Sequence, residues 1–200
     1  MGECLHIFPI HSKPFGLSFS DWTIKWWQWI TSIPQSENPT NDETGKFVTL
    51  CQENNNDVIF LCQTIEGLGG VPTRRSTISN KRFFFMPIIN WISISGVDGN
   101  DDEEMLKIAK TKMDVIDRLD LVINGRNIEN LKFNRVRSNF FDIDLPANNI
   151  LDLPEGKRRC LSDGYWVFFH ICSNYMELST NSSCSLGVTQ IGTNYELTIR

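Results

Sequence analysis

The chain has 200 residues, 40% hydrophobic and 22% charged, with a formal charge of −5 and a pI near 5.2. That length suits one domain able to bury roughly 70% of its unfolded surface, and the composition is too apolar for disorder. Lys and Arg fall in small groups such as Arg74-Arg75 and Lys157-Arg158-Arg159, without the basic stripe that nucleic-acid binding needs.

The opening "MGECLHIFPIHSKPFG" carries His, Lys and two prolines and has no apolar run resembling a secretory signal. Residues 1–14 read as an irregular segment and 15–200 as a single domain. The longest apolar run, "FFFMPIINWISI", is well short of the ~20 residues of a membrane span. The expectation is a cytoplasmic chain, or an exported one if a leader has been removed.

A helix is predicted over 21–33. It places four tryptophans within eight residues, in "WTIKWWQW". Ser20 reads as the N-cap, with Phe19 stapled onto Ile24. Trp22, Trp26, Trp29 and Ile33 share one face, Trp27 lies on its flank, and Pro34 stops the helix. A hairpin of "FVTLC" and "DVIFLC" is predicted next, its register keeping Cys51 apart from Cys62.

Strands follow at "RRSTI" and, with a bulge near Pro87, at "KRFFFMPIINWISIS". "VDGNDDEEMLKIAKTKMDVIDRL" reads as a second helix over 101–119, acidic at its start, and "LVING" ends in an Asn-Gly turn. Beyond it, "NFFDIDLP", "GYWVFFHI", "YMELST" and "NYELTIR" alternate as strands. This is a mainly β, α+β pattern: an antiparallel β-sandwich decorated by two helices.

Six cysteines form no C-x-x-C pair and the three histidines are dispersed, so neither a metal nor any other cofactor is expected. Free, mostly buried thiols are the expectation. No G-x-S-x-G or H-E-x-x-H occurs, and "EGLGGVPTRR" is not a P-loop. Asp142 and Asp144 alternate outward on their strand, where they could bind calcium or act as an acid/base pair. A solvated strand face is the commoner use of that pattern.

For the tryptophans, core packing is likewise the commoner use. Packing does not account for the loop "ENPTNDETGKF", however. Trp27 with Asn38, Asp42, Thr44 and Gly45 is therefore the candidate ligand site, an aromatic floor beside a polar loop.

The W-x3-WW-x-W helix, "ENPTNDETGKF", "CQENNNDVIFL", "RFFFMPIIN", "SDGYW" and the terminal "NYELTIR" resemble an uncharacterised microbial family over most of 15–200. The resemblance supports the fold and implies no activity. Relatives carry a Pro-Gly-x-His turn where this chain reads "HICSNYMEL". The resulting expectation is a non-enzymatic β-sandwich module binding a small polar ligand, a sugar or a protein, or assembling with its own copies. The alternative is a carboxylate-dependent hydrolase acting on carbohydrate through Asp142 and Asp144.

Overall fold

The computed structural model describes residues 5–52, 57–64, 71–79, 82–184 and 191–200. Residues 53–56, between the two segments of the predicted hairpin, and 65–70, within the stretch that holds "EGLGG", lie outside them, as does Cys4. In chain order the elements are β1 (Leu5–Ile7), α1 (Phe19–Ser32), β2 (Val58–Phe60), β3 (Thr73–Ile78), β4 (Phe83–Ile94), α2 (Asp102–Asp114) and β5 (Ile116–Ile123). They continue with β6 (Arg126–Asn127), β7 (Arg135–Arg137), β8 (Phe141–Leu145), β9 (Gly156–Ile171), β10 (Tyr175–Cys184) and β11 (Ile191–Ile199).

Sheet 1 runs β1-β9-β4-β2, with β7 and β8 also paired to the long β9, and sheet 2 runs β3-β11-β10-β5-β6. The expected mainly β fold of two stacked sheets and two helices is what forms. The strictly antiparallel expectation needs correction, because β2 pairs β4 in parallel and β3 pairs β11 in parallel. Between β2 and β4 the chain crosses to sheet 2 as β3, then re-enters sheet 1 in its former direction. Neither parallel pair is joined by a tight turn, so nothing imposes antiparallel order.

β4 and β9 are buried on both faces along most of their length, which explains their nearly continuous apolar runs. On one face Phe84, Met86, Val167 and Phe169 pack against Leu121, Met176, Leu178 and Leu197 of sheet 2. On the other, Phe85, Trp166 and Phe168 meet Trp22, Trp26 and Trp29 of α1. Met105 and Ala109 of α2 pack with Leu161 and Trp91 on the face of sheet 1 that sheet 2 covers, opposite α1. The predicted irregularity near Pro87 is a register shift between Pro87 and Ile89. It lets Ile88 and Ile89 enter one core in succession.

Several predicted boundaries move. The N-cap of α1 is Ser18, which forms a capping box with Asp21, and Phe19 is a buried first-turn residue. α2 ends at Asp114; Ile116 and Leu119, inside the predicted helix, belong to β5, where they pair with β10. The hairpin of 47–51 with 57–62 does not form. Residues 47–51 are turns, and only Val58–Phe60 is strand.

The open edge of β2 is instead closed by one side chain. Gln52 donates from Nε2 to the Phe60 carbonyl (2.8 Å) and accepts the Phe60 amide on Oε1 (3.1 Å). Cys62 is a buried free thiol, so no Cys51–Cys62 bridge exists, although the register that argued against one is absent. Residues 5–7, expected to be irregular, add β1 to β9, placing His6 opposite His170. The Asn124–Gly125 turn closes β5 onto β6 as expected. No helix among the described residues is long and apolar enough to cross a membrane.

Replacing Trp22 by Ala should cost ~3–5 kcal/mol in denaturant-induced unfolding, since its ring is fully enclosed by Phe60, Phe85 and Phe168.

Candidate functional site

All four indoles of α1 donate hydrogen bonds. Trp22 reaches the Pro14 carbonyl (3.1 Å), Trp26 that of Leu61 (2.8 Å) and Trp29 that of Leu50 (3.0 Å). All three acceptors lie outside the strands, although the Pro14 carbonyl also accepts the Leu17 amide (3.2 Å). Trp27, expected to be the exposed floor of a ligand site, donates to Ser162 Oγ of β9 (2.8 Å) and is 8% exposed. It is the least enclosed of the four, but it is a core residue. The strands β7 and β8, running beside α1 along β9, widen the buried face beyond the predicted stripe.

The loop after α1 is bonded within itself and to its neighbours. Asn38 Nδ2 donates to the carbonyls of Ile30 (2.7 Å) and Ile33 (3.1 Å), capping the helix end, while its Oδ1 accepts from Thr40. Asp42 accepts the Thr44 amide (2.8 Å) and hydroxyl (2.7 Å) on one oxygen and the Phe47 amide (2.8 Å) on the other. Burial pushes the Asp42 carboxyl up, but these bonds outweigh it and hold its pKa below the ordinary range. Gly45 has φ +97, and a Cβ there would lie 2.5 Å from the Arg75 carbonyl oxygen. The Thr44 carbonyl accepts the Arg75 amide (2.7 Å), so the loop seals the edge of β3.

Arg74 completes the arrangement. Its fully buried guanidinium donates to the carbonyls of Asp42 (2.6 Å), Thr40 (3.2 Å) and Cys62 (2.7 Å) and to Tyr195 Oη (2.8 Å). Tyr195 in turn donates to the Cys62 carbonyl (2.7 Å). One planar fork thus ties the loop, the end of β2 and sheet 2 together. The sequence carried a signal for this residue: alternation in "TRRSTI" with Ile78 inside also puts Arg74 inside. Burial pushes the Cys62 thiol up, away from nucleophilic character, and Cys160 is pushed up to about 12 by burial.

Asp142 and Asp144 do face outward between buried Phe141, Ile143 and Leu145. Asp142 pairs with Lys157 (2.9 Å), and Arg159 lies opposite it across the strands. The carboxylate with the richest surroundings is one that sequence reasoning passed over. Asp163 is fully buried and accepts from Arg135 through both oxygens (2.9 Å each) and from Arg137 (3.3 Å). Arg135 continues to Asp114 of α2 (2.6 Å). The Asp163 hydrogen bonds, with those of Asp114, outweigh burial and keep Arg135 protonated. Among the described residues, no three His, Cys, Asp or Glu side chains converge as a metal site.

The remaining feature is the outer face of sheet 2, which no described element covers. It presents Thr73, Arg75 and Thr77 of β3, Asn194, Glu196 and Thr198 of β11, and Tyr175, Glu177 and Ser179 of β10. Two shallow depressions lie on it. One, of ≈ 330 Å³, is lined by Thr73, Glu177, Ser179, Asn194 and Glu196; the other, of ≈ 430 Å³, by Arg75, Thr77, Tyr175, Glu196 and Thr198. They meet at Glu196, which holds Arg75 through two bonds (2.7 and 2.8 Å). Tyr175 is 45% exposed and donates to Glu177 (3.0 Å).

No family model and no curated protein matches the chain. Among solved structures, it is similar to one described as "Structure of PbICP-C in complex with falcipain-2", with 10% identity and a TM-score of 0.25. The match covers 70% of this chain and 98% of that one. That likeness is too distant to speak for either fold or function.

Replacing Arg74 by Met should cost about 3 kcal/mol or more in equilibrium unfolding, because several buried acceptors lose their donor together. The lowered pKa of Asp42 also sets a pH dependence. Its stabilising contribution is fully present above the ordinary value of 3.8 and is lost as pH falls through the folded value. In a melting series, the gap between wild type and Asp42→Asn should therefore narrow as the solution is acidified below about pH 4.

Proposed function

We propose that the chain is a non-enzymatic binding module that recognises a saccharide on the outer face of sheet 2. The observation that carries this reading is the pair of adjoining depressions on the uncovered face, joined at Glu196 and bordered by the exposed ring of Tyr175. Polyhydroxylated ligands are held by carboxylates, amides and guanidinium groups that bond neighbouring hydroxyls, and by aromatic rings against sugar C–H faces. Glu177, Glu196, Asn194 and Arg75 supply the former and Tyr175 the latter.

The ligand residues named from sequence are engaged in bonds within the fold. Asn38, Asp42, Thr44 and Gly45 form one loop whose polar groups serve its own fold, and Trp27 is engaged by Ser162. A sugar-binding surface on the loop would require those bonds to break. On the open face, the polar groups are already at the surface and on a rigid sheet.

The test is binding of the labelled full chain to an immobilised glycan array, repeated with Tyr175→Ala and Asn194→Ala. The expected result is a defined set of glycans retained by wild type and lost about tenfold or more by each variant, with circular dichroism unchanged. Absence of any retained glycan, or retention indifferent to both substitutions, would reject the reading.

A further inference from the structure

The fold brings together two of the chain's three histidines. His6 of β1 stands directly opposite His170 of β9 in the antiparallel register. The Phe8 amide donates to the Phe168 carbonyl (2.9 Å), so by alternation His6 and His170 form a hydrogen-bonded pair, about 5.5 Å apart at Cα. The His6 ring lies 4.6 Å from that of Phe8, and the His170 ring 4.5 Å from that of Phe83 on β4. Phe8 and Phe83 belong to the core on the α1 side of sheet 1. Leu5 and Ile7 point the other way, against the core between the sheets.

The charge around His170 is one-sided. Arg82, which precedes β4, is fixed by donating to the carbonyls of Cys172 (3.0 Å) and Ser173 (2.6 Å) and to Asn174 Oδ1 (2.7 Å). Arg82 and, from β1, His6 both lie within electrostatic reach of the His170 ring. Along β9 itself the next groups on that side are Phe168 and, just past the strand, Cys172. From the N-terminal segment, Phe8 and Phe15 pack on Phe83, with ring centres 6.2 and 5.0 Å away. Among the described residues, no carboxylate pairs with His6, His170 or Arg82. Burial, the Arg82 charge and His6 together hold the His170 imidazole below its ordinary value.

We infer that β1 is an acid-released strap: when the His6–His170 pair takes up protons beside Arg82, the strand detaches from β9. Imidazole is the side chain suited to such a change near neutral pH. β1 is three residues long and β9 is its one partner in the sheet, so opening it costs far less than unfolding the core. Detachment removes His6 and the cover that β1 gives, which lets His170 titrate nearer its ordinary value of 6.5. Docking is therefore at full strength above about pH 6.5 and weakens as pH falls below it. What acid bares is the backbone edge of β9 beside His170, an unpaired edge of the kind that accepts another strand. The device uses no residue of the saccharide face and stands apart from that reading.

The experiment is amide hydrogen exchange of the full chain, followed by NMR at pH 7.5 and 5.0 and expressed as protection factors. The Phe8 amide reports the attachment of β1, and the buried Leu61 amide, bonded to the Phe85 carbonyl (3.1 Å), reports global opening. Phe8 should exchange faster than Leu61 at both pH values, and its protection should fall about threefold or more on acidification. Two unit charges ~6 Å apart give that factor even in bulk water. His170→Gln should abolish the fall, and His6→Gln, at an exposed site that tolerates substitution, should reduce it. His11→Gln should leave it intact. Equal protection of Phe8 at the two pH values would overturn the inference. A fall of full size in His6→Gln would do the same, as would Phe8 exchanging only in step with Leu61, since β1 would then leave only with the whole fold.

Discussion

Every buried backbone N–H and C=O must find a partner, and the described residues of 34–64 contain only three residues of strand with which to provide them. The rest of the architecture depends on how that deficit is met. Long-reach side chains do the work of a ladder: Trp26 and Trp29 for the carbonyls of Leu61 and Leu50, Asn38 for the end of α1, Gln52 for the edge of β2, and Arg74 for Thr40, Asp42 and Cys62. A helix crowded with tryptophan is therefore more than an apolar cover for sheet 1. Its indoles combine a large buried surface with a donor at the far end, which Leu or Phe could not supply.

This constraint also decides which surfaces remain available. Sheet 1 is enclosed by α1 on one face and by sheet 2 with α2 on the other. The polar loop after α1 spends its bonds on itself, on the helix end and on the edge of β3. Among the described residues, the outer face of sheet 2 is open, polar by alternation and supported from beneath by the inter-sheet core.

Much of this was legible in the sequence, and the reasons for the rest are physical. The helical period of Trp22, Trp26 and Trp29, the alternation of "NFFDIDLP" and the Asn-Gly turn were read from local pattern, because local pattern determines them. The hairpin at 47–62 failed because tertiary donors replaced strand pairing, so "FVTLC" has the composition of a strand without a neighbour to bond. α2 was read too long because Ile116 and Leu119 satisfy both periodicities, and pairing with β10 settles the competition. The loop 38–45 drew notice for a sound reason, its unusual polar residues. Their purpose became visible only with Arg74, which is distant in sequence and reads as an ordinary surface cation until strand alternation is applied. The outer face of sheet 2 gave no signal, since its Thr, Ser, Asn and Glu match any solvated strand.

The division between a structural loop and a free sheet face can be tested without any ligand. Thermal unfolding of Asp42→Ala and Tyr175→Ala, measured side by side with wild type, addresses it most directly. The account predicts that Asp42→Ala melts well below wild type, because the amides of Thr44 and Phe47 lose their acceptor, while Tyr175→Ala melts close to it. An Asp42→Ala variant as stable as wild type, together with a destabilised Tyr175→Ala, would contradict it and return the loop to candidacy as the binding site.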